Sequence, residues 1–290
     1  MGVIVVTGSA SGMGAAAAVR LRADGHDVIG VDLHDADILA DLSSPEGRVV
    51  AAEQALAHAG GRLDGAVLAA GLGPSAGSSA HRIVQVNYAG VVDLLTAWRP
   101  ALAAADRAKV VVFGSNSTTT APLVPRGLVT ALLAHDLERA VRVARRRGRL
   151  APVFAYAGSK LALTRWVRRS AVTEDWAGAG IRLNAIAPGA VSTPLLARQL
   201  DSPAERAQIE AFPLPIGHFG DPDEIARWVA LMCSDAANSL CGSVVVVDGG
   251  SEAYFRADDW PVPVPLRGLA RYLRRSRAWR RRDGPRARPA

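Results

Sequence analysis

Tyr156 and Lys160 stand four residues apart in Tyr156-Ala157-Gly158-Ser159-Lys160, a spacing that puts both on one face of a helix, one turn from each other. A free phenol, with a pKa of about 10, neither releases nor regains its proton usefully near neutrality. A neighbouring ammonium favours the phenolate. At roughly 4 Å and an effective dielectric of about 20 the attraction is on the order of 4 kcal/mol, an upper bound of about three pK units. The pair therefore reads as a general acid/base, Tyr156, with Lys160 as its activator. Pairs at this spacing also arise by chance in many helices, so the rest of the chain must show whether a site is built around them.

The first residues do so. Val3-Ile4-Val5-Val6 is an uninterrupted apolar run, as expected of a strand buried on both faces of a parallel sheet. Thr7-Gly8-Ser9-Ala10-Ser11-Gly12-Met13-Gly14 follows, and Ala15 to Ala23 is rich in helix formers. The glycines let the backbone turn tightly and approach a pyrophosphate, toward which the next helix points its N-terminal N–H groups. The second strand, Val28 to Val31, ends at Asp32 and Leu33. A carboxylate there accepts hydrogen bonds from ribose hydroxyls and repels a 2′-phosphate, and no Arg or Lys lies in the glycine turn or directly after Asp32. NAD is therefore the expected cofactor rather than NADP. Asp41 and Leu42, ending a short extended stretch from Asp37, are candidates to lie against the adenine.

With these motifs in place the chain resembles the short-chain dehydrogenase/reductase family from about Met1 to Phe255. Thr7-Gly8-x-x-x-Gly12-x-Gly14 resembles the family's cofactor turn. Ala69-Ala70-Gly71 stands where the family usually has Asn-Asn-Ala-Gly, which removes side-chain amides but keeps the glycine. Asn87 resembles the structural and proton-relay Asn, Ser115 the catalytic Ser, and Tyr156 and Lys160 the catalytic pair. Pro188-Gly189, with Val191 and Thr193 after it, resembles the segment that holds the nicotinamide carboxamide. Gly242 and Asp248-Gly249-Gly250 resemble the last strand and its turn. Gly25 to Ser43, Ala70 to Pro74 and the Tyr156 segment are more closely similar to a hydroxysteroid dehydrogenase/carbonyl reductase branch, as is the unusually long gap from Ser115 to Tyr156. The resemblance implies NAD-dependent interconversion of a hydrophobic secondary alcohol and its ketone. A sugar, terpene or acyl-thioester alcohol, or a non-catalytic NAD-binding regulator, are the competing readings.

Stepping out to the elements that must carry these residues, 290 residues with 49% hydrophobic composition suit one α/β domain. The expected fold is a three-layer, doubly wound Rossmann architecture with seven parallel strands. The domain is expected over residues 1–257, with a helical insertion at 116–152 and a Pro- and Arg-rich extension at 258–290. No apolar run reaches the roughly 20 residues needed to span a bilayer. No signal-peptide pattern is present, no His/Cys/carboxylate cluster has ligand spacing, and Cys233 and Cys241 read as free thiols. These point to a cytoplasmic enzyme without a metal.

The net charge of +7 belongs to the tail. Residues 267–290 hold ten Arg and one Asp, so the preceding chain is slightly acidic. Leu266, Leu269, Tyr272 and Leu273 can share a helix face between Arg267 and Arg282, behind the extended Trp260 to Pro265. Such a tail is either a solvated extension or a contact for an anionic surface. In the insertion, Leu128, Leu132, Leu133, Leu137 and Val141 recur at helical spacing. A helix there should obstruct the four-helix contact that most family members use between subunits, which predicts a homodimer built another way. Pro194 to Pro215, rich in Leu, Ile and Phe, is placed to cover an apolar substrate.

Overall fold

The computed structural model describes residues 2–74 and 78–280. Among the described residues seven strands form one sheet, all parallel: β1 (Val3–Thr7), β2 (Asp27–Asp32), β3 (Ile38–Leu39), β4 (Gly65–Leu68), β5 (Lys109–Phe113), β6 (Arg182–Pro188) and β7 (Val244–Val247), in spatial order β3-β2-β1-β4-β5-β6-β7. Their near-continuous Val, Ile, Leu and Ala content follows from burial on both faces. Val6 pairs with Gly30 on one side and Val67 on the other, so the strand order reverses at β1. A crevice opens at such a reversal, outside the carboxyl ends of the strands.

Helices cover both faces, as expected for this fold. One face carries α1 (Gly12–Ala23) against β1 and β2. The other carries α2 (Pro45–His58), α3 (Ala80–Val84) and α4 (Gly90–Ala103), with a π-helical turn, Gln85–Ala89, between the last two. The segment between β5 and the long helix that holds Tyr156 contains α5 (Ser117–Thr120), α6 (Arg126–Leu133) and α7 (Leu137–Arg145), and leads into α8 (Ala151–Ser170). The periodicity from Leu128 to Val141 suggested one helix, but two stand there, α6 and α7. They break at Ala134–Asp136, where His135 takes a left-handed φ of 58° and Asp136 caps α7 by accepting from the Arg139 N–H. Gly158 on α8 faces Leu128 of α6, and Leu128 is fully buried.

Beyond β6 come α9 (Pro194–Leu200), α10 (Pro203–Glu210), α11 (Pro222–Cys233) and α12 (Ser251–Arg256). The last of these is followed by an extended proline segment and α13 (Leu269–Arg280). α11 packs on α1 beneath the sheet, with Ile225 and Val229 buried there. Cys233 and Cys241 are free thiols. No described helix is long and apolar enough to cross a membrane, and no group of His, Cys, Asp and Glu among the described residues can hold a metal.

Candidate active site

Lys160 is buried on α8, and its Nζ donates to the Phe113 carbonyl at the end of β5, 2.7 Å away. Burial without a counter-charge pushes the ammonium pKa down to about 8. Tyr156, one turn earlier, is half-buried against the main core. Burial raises the phenol pKa, and a hydrogen bond with the Ser115 side chain works against it to a smaller extent. The depression of Tyr156 by Lys160 expected from the spacing is therefore not what the geometry gives. Desolvation outweighs the hydrogen bond, and the lysine's hydrogen bond goes to a backbone carbonyl. At neutral pH the phenol is held as a proton donor.

Ser115 sits just past β5, and its Oγ also accepts from the Ser117 N–H at 3.1 Å. Asn87 lies in the π-helical turn and is fully buried. Its Oδ1 accepts from the Leu72 N–H at 2.8 Å and its Nδ2 donates to the Leu72 carbonyl at 2.9 Å, so the side chain braces the loop after β4. A β-carbon on Gly71 would lie 3.5 Å from that Oδ1 and 3.7 Å from the Lys160 Nζ. Asn87 and Lys160 thus face one small space beside Gly71, in which a β-carbon would make ordinary contact with both.

The glycine turn is shaped by two different requirements. Gly8 has φ 72° and Gly12 φ 54°, both left-handed. A side chain on Gly14 would come within 2.8 Å of the Gly8 carbonyl carbon, so helix and turn could not close up. The result is a cradle in front of the first-turn amides of α1 that any β-carbon would fill. Asp32 is fixed beside it: its Oδ2 accepts from the Ala10 N–H at 2.9 Å and its Oδ1 from the Leu33 N–H at 2.7 Å. One cleft runs past Gly8, Ser11, Gly12, Met13 and Gly14 to Asp32, Leu33, Asp41 and Leu42, and on its other side past Ala70, Gly71 and Thr193. An anion fits the amide end of this cleft and a ribose the carboxylate end, which is the donor and acceptor set a dinucleotide requires.

Comparison with known proteins accounts for the arrangement. Residues 2–124 match the model described as short chain dehydrogenase, and residues 140–252 match that of enoyl-(acyl carrier protein) reductase. The chain is 40% identical over 256 residues to 3-alpha-hydroxysteroid dehydrogenase/carbonyl reductase of Comamonas testosteroni, covering 88% of this chain and 98% of that one. The chain belongs to the short-chain dehydrogenase/reductase family. It is an oxidoreductase of that family. The coniferyl-alcohol dehydrogenase of Pseudomonas sp. strain HR199 is 31% identical, with 85% of this chain and 95% of that one covered. The 3-alpha-hydroxysteroid dehydrogenase of Pseudomonas sp. B-0831, solved with NADH, superposes with a TM-score of 0.82 at 44% identity, covering 88% and 99% of the two chains.

Within this short-chain dehydrogenase/reductase site, Ser9, Ala10, Pro188, Gly189 and Val191, also singled out from sequence, lie off the cleft wall. The Ser9 hydroxyl is buried against Gly30, and the Ala10 N–H is taken up by Asp32. Pro188 ends β6 and Gly189 packs on Asp248, whose carboxylate accepts from the Gly250 and Glu252 N–H groups. The Val191 side chain points into the core beneath the sheet. Thr193 caps α9 and lies 3.3 Å from where a Gly12 side chain would begin, while Leu195 reaches over Gly73.

Sequence did not single out Arg82 and Arg198, which also line the cleft, from α3 and α9. Arg82 adds, with the larger hydrogen bonds from Ser43, to holding the Asp41 carboxyl below its usual value. Nor did it find the buried Arg48. That guanidinium pairs with Asp93 at 2.8 Å and donates to the Leu42 carbonyl at 3.1 Å, and His135 reaches the other Asp93 oxygen at 3.1 Å. No local motif marks these residues, because the three meet only across α2, α4 and the α6–α7 turn.

Proposed function

We propose that this enzyme interconverts a 3α-hydroxysteroid, or a carbonyl compound of similar apolar bulk, with its oxidised or reduced partner, using NAD. The hydrogen bond between Ser115 and Tyr156, one helical turn from the buried Lys160, carries the assignment of chemistry. The hydroxysteroid class is supported by the relative with which the chain shares 40% identity. NAD is supported by Asp32 at the ribose end of the cleft and by the NADH complex of the similar Pseudomonas enzyme. Gly8, Gly12 and Gly14 would admit the pyrophosphate, Asp32 and Leu33 the adenosine ribose, Asp41 and Leu42 the adenine edge, and Thr193 the nicotinamide end.

When bound in this cleft, the dinucleotide would supply the hydride chemistry. In reduction Tyr156 delivers its phenolic proton to the substrate oxygen, a task that suits a phenol held protonated. Ser115 steadies the same oxygen by hydrogen bonding as charge develops on it. Lys160 restores the proton balance from its place beside Gly71, where Asn87 fixes the loop. Leu195 and Leu196 on α9 give the substrate side its apolar character. In solution the chain forms a homodimer that leaves α8 out of the contact, since α6 and α7 already cover that helix. The C-terminal extension contacts an anionic surface, and the body works in the cytoplasm.

The decisive assay supplies 3α- and 3β-hydroxysteroids, an aromatic ketone, a sugar alcohol and a β-hydroxyacyl thioester with NAD or NADP, and follows the reduced-nicotinamide absorbance. Turnover confined to the sugar or thioester would sink the substrate assignment. Tyr156→Phe should lose turnover while NAD affinity, measured by fluorescence titration, stays within about twofold, since a lost phenolic oxygen removes proton transfer and not dinucleotide contacts.

A further inference from the structure

α13 lies beyond the end of the family match at residue 252 and repeats a pattern that the catalytic body does not need. Leu269, Tyr272, Leu273, Ser276 and Trp279 recur at intervals of three and four, so they form one stripe. Arg271, Arg274, Arg275 and Arg277 occupy the remaining circumference, and the helix contains no acidic residue. The stripe is exposed along its length. Leu269 is 45% exposed, Tyr272 56%, Leu273 43% and Trp279 64%. The exposed segment from Pro261 to Pro265 separates the helix from α12, as a stiff proline-rich spacer would. Residues 281–290, with four further Arg and one Asp, lie outside the described residues.

An amphipathic helix whose apolar and cationic faces are both exposed asks for a partner that satisfies both. A second copy of α13 would cover the stripe but bring two sets of uncompensated arginines together. A nucleic acid would neutralise the arginines and leave Leu269, Leu273 and Trp279 in water. An anionic phospholipid surface takes up both faces: the stripe enters the boundary between headgroups and acyl chains, aromatic side chains settle at that depth, and arginines extend to the phosphates. We infer that α13 binds the enzyme to anionic membrane surfaces as an interfacial helix. An apolar alcohol or ketone of the kind proposed above partitions into the same surface, so the helix would hold the active site where its substrate is concentrated.

The test is sedimentation of the full-length protein with vesicles of phosphatidylcholine alone or with added phosphatidylglycerol, without substrate. The phosphatidylglycerol vesicles should bind roughly tenfold more protein or better, with release at high salt, because each arginine near the surface adds to the attraction. Removing residues 258–290 should abolish binding and leave turnover of a water-soluble ketone unchanged. Two variants separate the faces: Leu269→Asp with Leu273→Asp, and Arg271→Gln with Arg274→Gln and Arg275→Gln. Both should lose most of the bound fraction, and Trp279 emission should shift to the blue only where binding persists. Undiminished binding in the Asp variant, or binding to a single-stranded oligonucleotide but not to the vesicles, overturns the inference. Vesicle binding needs no turnover, so its failure leaves the enzymatic reading intact.

Discussion

Leu128 of α6 sits where a side chain on Gly158 of α8 would have to go: an added β-carbon would meet the Leu128 Cγ at 2.8 Å and a terminal methyl closer still. Leu128 is fully buried, so it can give way only by repacking against its neighbours. Gly158→Ala should therefore destabilise by up to about 2 kcal/mol, since overpacking of about 1–3 kcal/mol is offset by the roughly 1 kcal/mol that alanine gains over glycine in a helix. Leu128→Ala alone should cost about 2–5 kcal/mol, and the double variant less than the sum. Denaturant titration of the four proteins checks this. Additive losses would mean that α6 does not press on α8.

The same packing bears on assembly. A face of α8 that is covered by its own insertion cannot pair with its copy. Light scattering coupled to gel filtration should give a dimer, and a cysteine introduced at the exposed Val153 of α8 should not cross-link to its symmetry mate. Efficient formation of that disulfide would place two α8 helices together and refute the expected arrangement.

Asp93 joins the insertion to the adenine edge, holding Arg48 with one oxygen and His135 with the other. Asp93→Asn leaves the buried Arg48 without a counter-charge and should cost roughly 3–5 kcal/mol, more than Arg48→Met, which leaves a partly exposed carboxylate free to hydrate. Arg48→Met also removes the donor to the Leu42 carbonyl, so KM for NAD should rise about fivefold with little change in kcat, the effect of one lost hydrogen bond. The hydrogen bond to Asp93 raises the His135 pKa. Its contribution to stability is complete below the unfolded value of about 6.5 and fades as pH rises through the folded one. The gap in Tm between the native protein and His135→Gln should therefore shrink as pH rises above about 6.5. A gap that widens would reverse the sign of the linkage.

The contrast between these features shows what sequence makes legible. β1 and β5 could be read directly, because a strand buried on both faces must be apolar throughout, and Val3 to Val6 and Val110 to Phe113 are. The glycine turn could be read because Gly8, Gly12 and Gly14 meet within one short loop. The direction of the Tyr156 shift could not. It depends on how deeply the phenol is desolvated and on the Phe113 carbonyl that accepts the lysine's hydrogen bond, and neither is a property of the four-residue spacing. For Asn87 the family resemblance implied a structural and proton-relay role, but not that the π-helical turn aims both ends of its amide at Leu72. The break at His135 depends on a left-handed residue with no glycine to announce it.

Lys160 gives a second pH signature, of opposite sign. Its folded pKa of about 8 lies below the usual 10.5, so the unfolded chain binds more protons between those values. The cost of burying the ammonium is present in full below about pH 8 and disappears as pH rises toward 10.5. Native stability should gain on the order of 3 kcal/mol across that window relative to Lys160→Met, which carries no such charge. Urea unfolding of both proteins at several pH values measures it. Parallel curves would show that the buried ammonium is compensated in a way the Phe113 hydrogen bond does not supply.

Asp32 offers the sharpest test of cofactor choice, because its carboxylate does two things at once. It ties the Ala10 and Leu33 N–H groups together, and it presents negative charge where a 2′-phosphate would sit. Asp32→Ala should raise KM for NAD by about tenfold to a hundredfold, the loss of charged hydrogen bonds worth roughly 1.5–3 kcal/mol. It should also lift the ratio of kcat/KM for NADP over NAD. Leu33 is exposed beside it, so adding Leu33→Arg supplies a guanidinium for the phosphate and should carry that ratio up by another factor of about ten or more. Arg82 and Arg198 line the cleft in every variant and so bear on both cofactors. A ratio that stays at the native value in Asp32→Ala, with affinity for both cofactors falling equally, would reduce Asp32 to a brace for the glycine turn and leave NAD preference to be set elsewhere in the cleft.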